Sequence, residues 1–182
     1  MAWTKGTIEG VWLYHPTVWR DERGYFMESF TAAKLPETLR DIIFVQDNEA
    51  QSEKGVLRGL HYQLPPYAQS KLVRCIQGKI LDVIVDIRPG SSAYGRHMAV
   101  VLDGEDKNQL FVPQGFAHGY VVLSDTAIVA YKCDNHYHPE VEGSLLYNDP
   151  GLGINWMIPE NQLIVSEKDR KSPTLVNHIP FR

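Results

Sequence analysis

Cysteine is almost missing from this 182-residue chain: there are two, Cys75 and Cys133, far apart and set in apolar runs. Such a pair reads as two reduced core thiols and excludes a disulfide framework. An excess of basic charge is missing as well, since 18 Lys and Arg stand against 22 Asp and Glu, a formal charge of −4. That balance argues against the clustered cationic surface of a nucleic-acid partner. No run approaches the roughly 18 apolar residues of a membrane-spanning helix, so no membrane partner is expected. The opening residues, Met1-Ala-Trp-Thr-Lys-Gly6, hold no apolar signal core, and a cytoplasmic location is the expectation. Internal repeats, low-complexity tracts and linker-like stretches are absent too, which leaves a single domain over 1–182. With 43% hydrophobic and 22% charged residues, the composition is that of an ordinary globular chain able to bury a core.

What is present is a succession of short apolar segments. Ile42–Gln46, Val56–Gln63, Lys71–Gln77 and Lys79–Ile87 come first, then His97–Leu102, Gln109–Val112, Gly119–Leu123 and Thr126–Lys132. Each is rich in β-branched or aromatic residues. The separators, among them Gln77-Gly78, Arg88-Pro-Gly90, Asp103-Gly104 and Pro113-Gln-Gly115, carry turn chemistry. In the segment 79–87, Leu81, Val83, Val85 and Ile87 fall on one face, and Asp82 and Asp86 fall opposite with Ile80 and Ile84. This period of two gives one apolar and one mixed face. At least eight such strands predict an all-β sandwich or jelly-roll barrel. One short helix is expected from Thr31, capped by Ser29 or Thr31, with Pro36–Asp41 adding a turn.

Polar side chains inside strand-like segments are the candidates for chemistry. Simple alternation would place Arg58, Leu60 and Tyr62 on one face of their strand, with Gly59, His61 and Gln63 on the other. A strand histidine is more often a satisfied core or surface group than a catalyst, so residue type alone does not decide. Pro113-Gln-Gly-Phe-Ala-His118 looks like the second motif of the cupin barrels, many of which hold a metal. Their first motif is incomplete here, because Gln63 stands where the second histidine of His-x-His belongs. His136 and His138 form another i, i+2 pair without an evident third ligand. A transition-metal site needs at least three good ligands, so no metal is expected. What remains is acid–base chemistry: imidazole titrates near pH 6.5 and a phenol near about 10. A histidine can take a proton, a tyrosine return one, Lys71 balance an oxyanion, and a buried Asp fix the histidine's tautomer.

At these residues the chain strongly resembles the dTDP-4-dehydrorhamnose 3,5-epimerase family, metal-free members of the cupin superfamily. The resemblance runs from about Ile8 to Leu175. It is carried by Asp21-Glu-Arg-Gly-Tyr-Phe-Met-Glu28, Gln46-Asp-Asn48, Gly55–Gln63, Lys71–Arg74, Asp82–Arg88, Pro113–Gly119, Tyr131-Lys132, Asn148-Asp-Pro150 and Ser166–Asp169. It implies a cupin-type jelly roll with a few short peripheral helices and no cofactor. It also implies inversion at C3 and C5 of dTDP-4-dehydro-6-deoxy-D-glucose, giving dTDP-4-dehydro-L-rhamnose. In that frame His61 is the base, Tyr131 the acid, Asp169 the group orienting His61, and Lys71 the cation near the C4 oxygen. Arg23 and Arg58 match diphosphate ligands; Glu28, Gln46 and Asn48 match nucleotide contacts; Tyr137 matches the ring that stacks on thymine. His118, Glu142 and Lys168 match further substrate contacts. The segment carrying Arg23 and Glu28 would cross to a second subunit, so a homodimer is implied. The competing readings are a single-centre epimerase, a metal-dependent cupin enzyme and a non-catalytic sugar-nucleotide-binding barrel.

Overall fold

The computed structural model describes residues 2–182. Two antiparallel sheets face one another. The first has the order β1 (Ala2–Lys5), β2 (Trp12–His15), β10 (Gln109–Val112), β7 (Lys71–Gln77), β12 (Thr126–Cys133), β5 (Gln46–Glu53). The second has the order β13 (Glu142–Ser144), β6 (Val56–Gln63), β11 (Phe116–Val122), β8 (Lys79–Asp86), β9 (His97–Asp103). The two-residue β14 (Ile164–Val165) runs parallel to β6, and β3 (Val18–Asp21) with β4 (Gly24–Met27) forms a separate hairpin. Apart from β1–β2 and β8–β9, neighbours in each sheet are not consecutive in sequence, the crossover pattern of a jelly roll.

The mixed face of β8 does not meet water. Ile80 and Ile84 point between the sheets, where they join Val73, Leu110, Phe116 and Val129. Asp82 and Asp86 share that face and are fully buried. The other face of β8, carrying Leu81, Val83, Val85 and Ile87, is covered by the C-terminal segment through Leu145, Tyr147, Trp156 and Leu163. Each such aliphatic side chain contributes ~1.5–3 kcal/mol on burial, so a strand clad on both sides anchors the barrel. A one-residue turn joins it to β7 in the other sheet. At Gly78 φ is +80°, and a Cβ would lie 2.1 Å from the Thr126 carbonyl oxygen, so only glycine fits.

Several boundaries differ from the pattern in the sequence. The expected helix near Thr31 is two 3₁₀ turns, Ala32–Lys34 and Glu37–Leu39, and neither has a side-chain N-cap. Pro36 stands between them, and the residue before a proline is biased away from helix. The turns place Leu35 and Leu39 over Leu72 and Phe111 on the outside of the first sheet. Ile42–Val45 is irregular, and the strand begins at Gln46 and continues through polar residues to Glu53. β5 pairs only with β12, at the sheet edge. Backbone pairing forms it, and its side chains alternate between exposed and partly covered positions, so it lacks an apolar signature. Both cysteines are free and buried.

Candidate active site

A glycine sets the geometry of the site. Along β6 and β11 the register pairs His61 with His118 and Arg58 with Tyr120, so three residue steps on β6 oppose two on β11. The extra residue makes a bulge at Gly59, whose φ is +122°. A Cβ there would lie 2.5 Å from Gly119 Cα. Simple alternation therefore fails at this point: Leu57 and Leu60 both enter the outer core, and Arg58 and His61 both face the barrel interior.

That interior is a cavity of about 510 Å³ whose wall includes Arg58, His61, Lys71, His118, Tyr131 and Asp169. Lys168 stands at its edge. A contiguous hollow shares His61, Lys71 and Tyr131 and adds Gln46, Asn48, Tyr137 and Glu142. Lys71 and Tyr131 come from neighbouring strands, with Lys71 opposite Cys133 and Val73 opposite Tyr131. Their side chains emerge on the same side, and the Lys71 ammonium lies 5.7 Å from the centre of the Tyr131 ring.

Asp169 arrives from the far end of the chain. β14 adds to β6 beside Val56 and Leu57. The one-turn helix α1 (Glu167–Arg170) follows, and its Ser166 cap accepts a hydrogen bond from the Asp169 N–H at 3.1 Å. The Asp169 carboxylate then lies 2.7 Å from His61 Nε2 and accepts from the Gly59 N–H at 3.4 Å. Because a carboxylate only accepts, Nε2 is the nitrogen that donates in this contact, and Nδ1 is the one left for another partner. Burial pushes the Asp169 carboxyl up, but the hydrogen bond and charge of His61 and the Gly59 N–H outweigh it, leaving the group below its ordinary value.

A second His–Asp pair lies alongside. His118 Nε2 is 2.8 Å from Asp82 Oδ2 and 3.0 Å from Oδ1, and Asp82 is completely enclosed. Sequence reasoning singled out His118 without its partner. A buried aspartate was legible, in phase with Ile80 and Ile84 on a strand that is otherwise apolar, but the histidine it meets depends on the register of two strands.

Burial shifts the other two groups. The Tyr131 phenol is pushed up to about 12 by desolvation, helped by the Cys133 thiol and the Tyr120 phenol nearby. Desolvation also pulls the Lys71 ammonium down, against the opposing pull of Cys133, Asp82 and Glu142. At the rim, Glu142 accepts from the Tyr137 hydroxyl at 3.2 Å and from Lys168, whose ammonium is thereby held above its usual value. Gln46 Nε2 donates to Asn48 Oδ1 at 3.0 Å, so these two amides orient each other. Arg58 Nε donates to Ser52 on the opposite sheet at 3.1 Å.

Two of the expected residues lie elsewhere. Arg23 is at the exposed tip of the β3–β4 hairpin, where its guanidinium meets Asp21. Glu28 follows the same hairpin and is paired with Lys34. Neither borders the cavity of its own chain. His138 is also engaged, stacked on Tyr67 with ring centres 3.6 Å apart and 2.9 Å from Glu140. Among the described residues no three His, Cys, Asp or Glu side chains converge as a metal-ligand set would require.

The comparisons with known proteins point to one family. The family model described as dTDP-4-dehydrorhamnose 3,5-epimerase matches residues 5–177. The enzyme of that name from Methanothermobacter thermautotrophicus is 48% identical over 167 residues, 91% of this chain and 90% of that one. The crystal structure of the Elizabethkingia anophelis enzyme superposes with a TM-score of 0.90 at 48% identity, covering 96% of both chains. A Legionella pneumophila dTDP-6-deoxy-D-glucose-3,5-epimerase, solved in complex with dTDP-4-keto-L-rhamnose, superposes at 0.91 with 46% identity, covering 97% of this chain and 93% of that one. The fold, cavity, family model and relatives converge, and the chain belongs to the dTDP-4-dehydrorhamnose 3,5-epimerase family.

Proposed function

We propose that this chain inverts C3 and C5 of dTDP-4-dehydro-6-deoxy-D-glucose, using His61 as base and Tyr131 as acid. The carrying observation is that His61, pinned by Asp169 at 2.7 Å, borders one cavity with Tyr131 and Lys71. Both carbons flank the C4 ketone, so loss of either proton gives an enolate whose charge rests on the C4 oxygen. His61 takes the proton at its free Nδ1, and the Asp169 carboxylate stabilises the imidazolium that results. Lys71 faces the oxyanion from a desolvated position, where an electrostatic contact is worth more than in water. Tyr131 delivers a proton to the opposite face of the carbon, which inverts the centre. A phenol held near 12 is still protonated at neutral pH, so the donor is in place for each turnover. The His61 imidazolium then gives its proton to solvent and the Tyr131 phenolate takes one back, and the second carbon follows by the same steps.

The nucleotide half of the ligand would lie along the rim. Arg58 presents a planar guanidinium suited to phosphate oxygens, and His118 and Lys168 line the same side. Tyr137, half exposed at 49%, offers a ring for the thymine, with Gln46, Asn48 and Glu142 around it. Arg23 and Glu28 serve the site of a second subunit in this reading, which makes the working unit a homodimer. Exposed Trp19, Tyr25 and Phe26 on the same hairpin support that arrangement.

Proton NMR of the substrate incubated with the protein in deuterium oxide tests the proposal. Deuterium at both C3 and C5, with conversion to the inverted sugar, is the expected result. Deuterium at one carbon alone overturns the two-centre assignment in favour of a single-centre epimerase. No exchange at either carbon overturns catalysis and leaves a binding barrel. Stoichiometric iron, manganese or zinc in the purified protein, with activity lost on chelation, overturns the metal-independent chemistry.

A further inference from the structure

Gln63 stands where a metal-binding motif would carry histidine, and no step proposed above uses it. It closes β6 and is buried at 5% exposure. Its amide makes three hydrogen bonds, all to backbone. Nε2 donates to the Tyr67 carbonyl at 2.7 Å and to the His136 carbonyl at 3.1 Å. Oε1 accepts from the His138 N–H at 2.5 Å. Two of these bonds bracket Tyr137, one on the residue before it and one on the residue after.

The bracketed segment, Asp134–His138, has no helix or strand of its own. Besides two backbone bonds, from the Asp134 N–H to the Ser70 carbonyl and from the Val141 N–H to the His138 carbonyl, its backbone bonds are made with side chains. The Tyr137 N–H donates to Gln46 Oε1 at 3.2 Å, and the His138 ring stacks on Tyr67, whose carbonyl is the third partner of Gln63. One amide thus ties two loops to the end of a central strand. The task calls for donors and an acceptor at once. A carboxylate only accepts and an apolar side chain does neither, so an amide is required.

We infer that Gln63 is a positioning residue for nucleotide recognition, holding the Asp134–His138 loop so that the Tyr137 ring is set to receive the base. The inference rests on the proposed stacking role of Tyr137. It assigns Gln63 to ligand affinity and leaves proton transfer to His61 and Tyr131, although Gln63 is only two residues from the base.

A double-mutant cycle on the full-length protein tests this, with dTDP affinity read by calorimetry and KM and kcat read by turnover. Tyr137→Ala is expected to weaken dTDP binding by roughly 5- to 150-fold, the range set by base–aromatic stacking. Gln63→Ala is expected to weaken dTDP binding at least about fivefold and raise KM to match, with kcat within about twofold, as lost uniform binding requires. The double variant is expected to be no weaker than Tyr137→Ala alone, because the two residues act through one ring. Gln63→Glu keeps the volume and loses both donors, so it serves if the alanine variant does not fold, and it is expected to show the same KM effect. Full additivity in the double variant, or a fall in kcat at constant KM, overturns the inference. Unchanged binding in Tyr137→Ala overturns the stacking role and the inference with it. Unchanged binding in both Gln63 variants, with Tyr137→Ala impaired, overturns the inference alone.

Discussion

Lys71 is partly buried beside the Tyr131 ring, and for its ammonium the loss of water outweighs the gain of opposite charge. Desolvation lowers its ammonium below the ordinary 10.5, while desolvation raises Tyr131 to about 12. The signs set an order. As pH rises, Lys71 gives up its proton first and the oxyanion loses its counter-charge, while the phenol is still intact. The alkaline limb of kcat/KM is therefore expected below 10.5 and is expected to move upward in Lys71→Arg, whose guanidinium stays charged. A limb that stays in place in that variant assigns the titration to another group. Asp169 supports a second expectation. Asp169→Asn presents an amide in place of the carboxylate that meets His61 Nε2, which removes the charge that stabilises the imidazolium. Turnover is expected to fall by ~10²- to 10⁴-fold, the usual span for losing acid–base catalysis, with dTDP affinity nearly unchanged. Equal losses in turnover and affinity would instead mark Asp169 as a binding or purely structural group. The residue types at 61, 71, 131 and 169 were readable from the sequence. The pairing of His118 with Asp82 was not, because it runs diagonally between adjacent strands whose register is set by tertiary contacts.

At the scale of elements, the bulge in β6 matters most. Without it, Arg58 and His61 would point to opposite faces of the strand, and only one would reach the cavity. Gly59→Ala puts a methyl against Gly119 in a backbone conformation that side-chain-bearing residues rarely adopt. Such strain alone costs of order 1–3 kcal/mol, and relieving it means losing the bulge. The variant is expected to unfold at lower denaturant and to lose turnover beyond what its folded fraction explains. A folded, fully active Gly59→Ala would show that the bulge does not set the site. The existence of β6, β7, β8, β10 and β12 followed from short apolar runs, rich in β-branched and aromatic residues, set between turn signals. The polar β5 and the two-residue β14 had no comparable signal, since each forms by pairing with a strand already in place. The capped turn that presents Asp169 escaped notice for a similar reason: four residues of helix carry too little periodicity to read.

The whole molecule raises the question of what covers the β3–β4 hairpin. Trp19 and Phe26 are 51% and 68% exposed on it, and Arg23 lies at its tip, outside the cavity of its own chain. The hairpin is not loose, since Arg20 donates to the Glu105 carbonyl at 3.0 Å and Lys107 lies 4.4 Å over the Tyr25 ring. A fixed aromatic projection bearing an arginine suits insertion into a second copy. Light scattering is expected to give twice the 20.7 kDa chain mass. Trp19→Ser with Phe26→Ser is expected to shift the protein to monomer and to reduce kcat/KM at least about tenfold, by withdrawing Arg23, the proposed diphosphate ligand, at ~1.5–3 kcal/mol for a charged hydrogen bond. A fully active monomer would overturn the shared site.

By itself the sequence determined the strand alternation, the turn chemistry at the glycines and the inventory of groups for acid–base chemistry, because these depend on neighbours one or two residues apart. Its motif blocks also carry the family resemblance. Only the tertiary structure decided which of those groups meet. It carried Asp169 across 108 positions to His61, turned Arg58 and His61 to the same side, and left Arg23 and Glu28 outside the cavity. Contacts of that length arise from sheet register and the packing of the C-terminal segment over β8, and no local pattern encodes them.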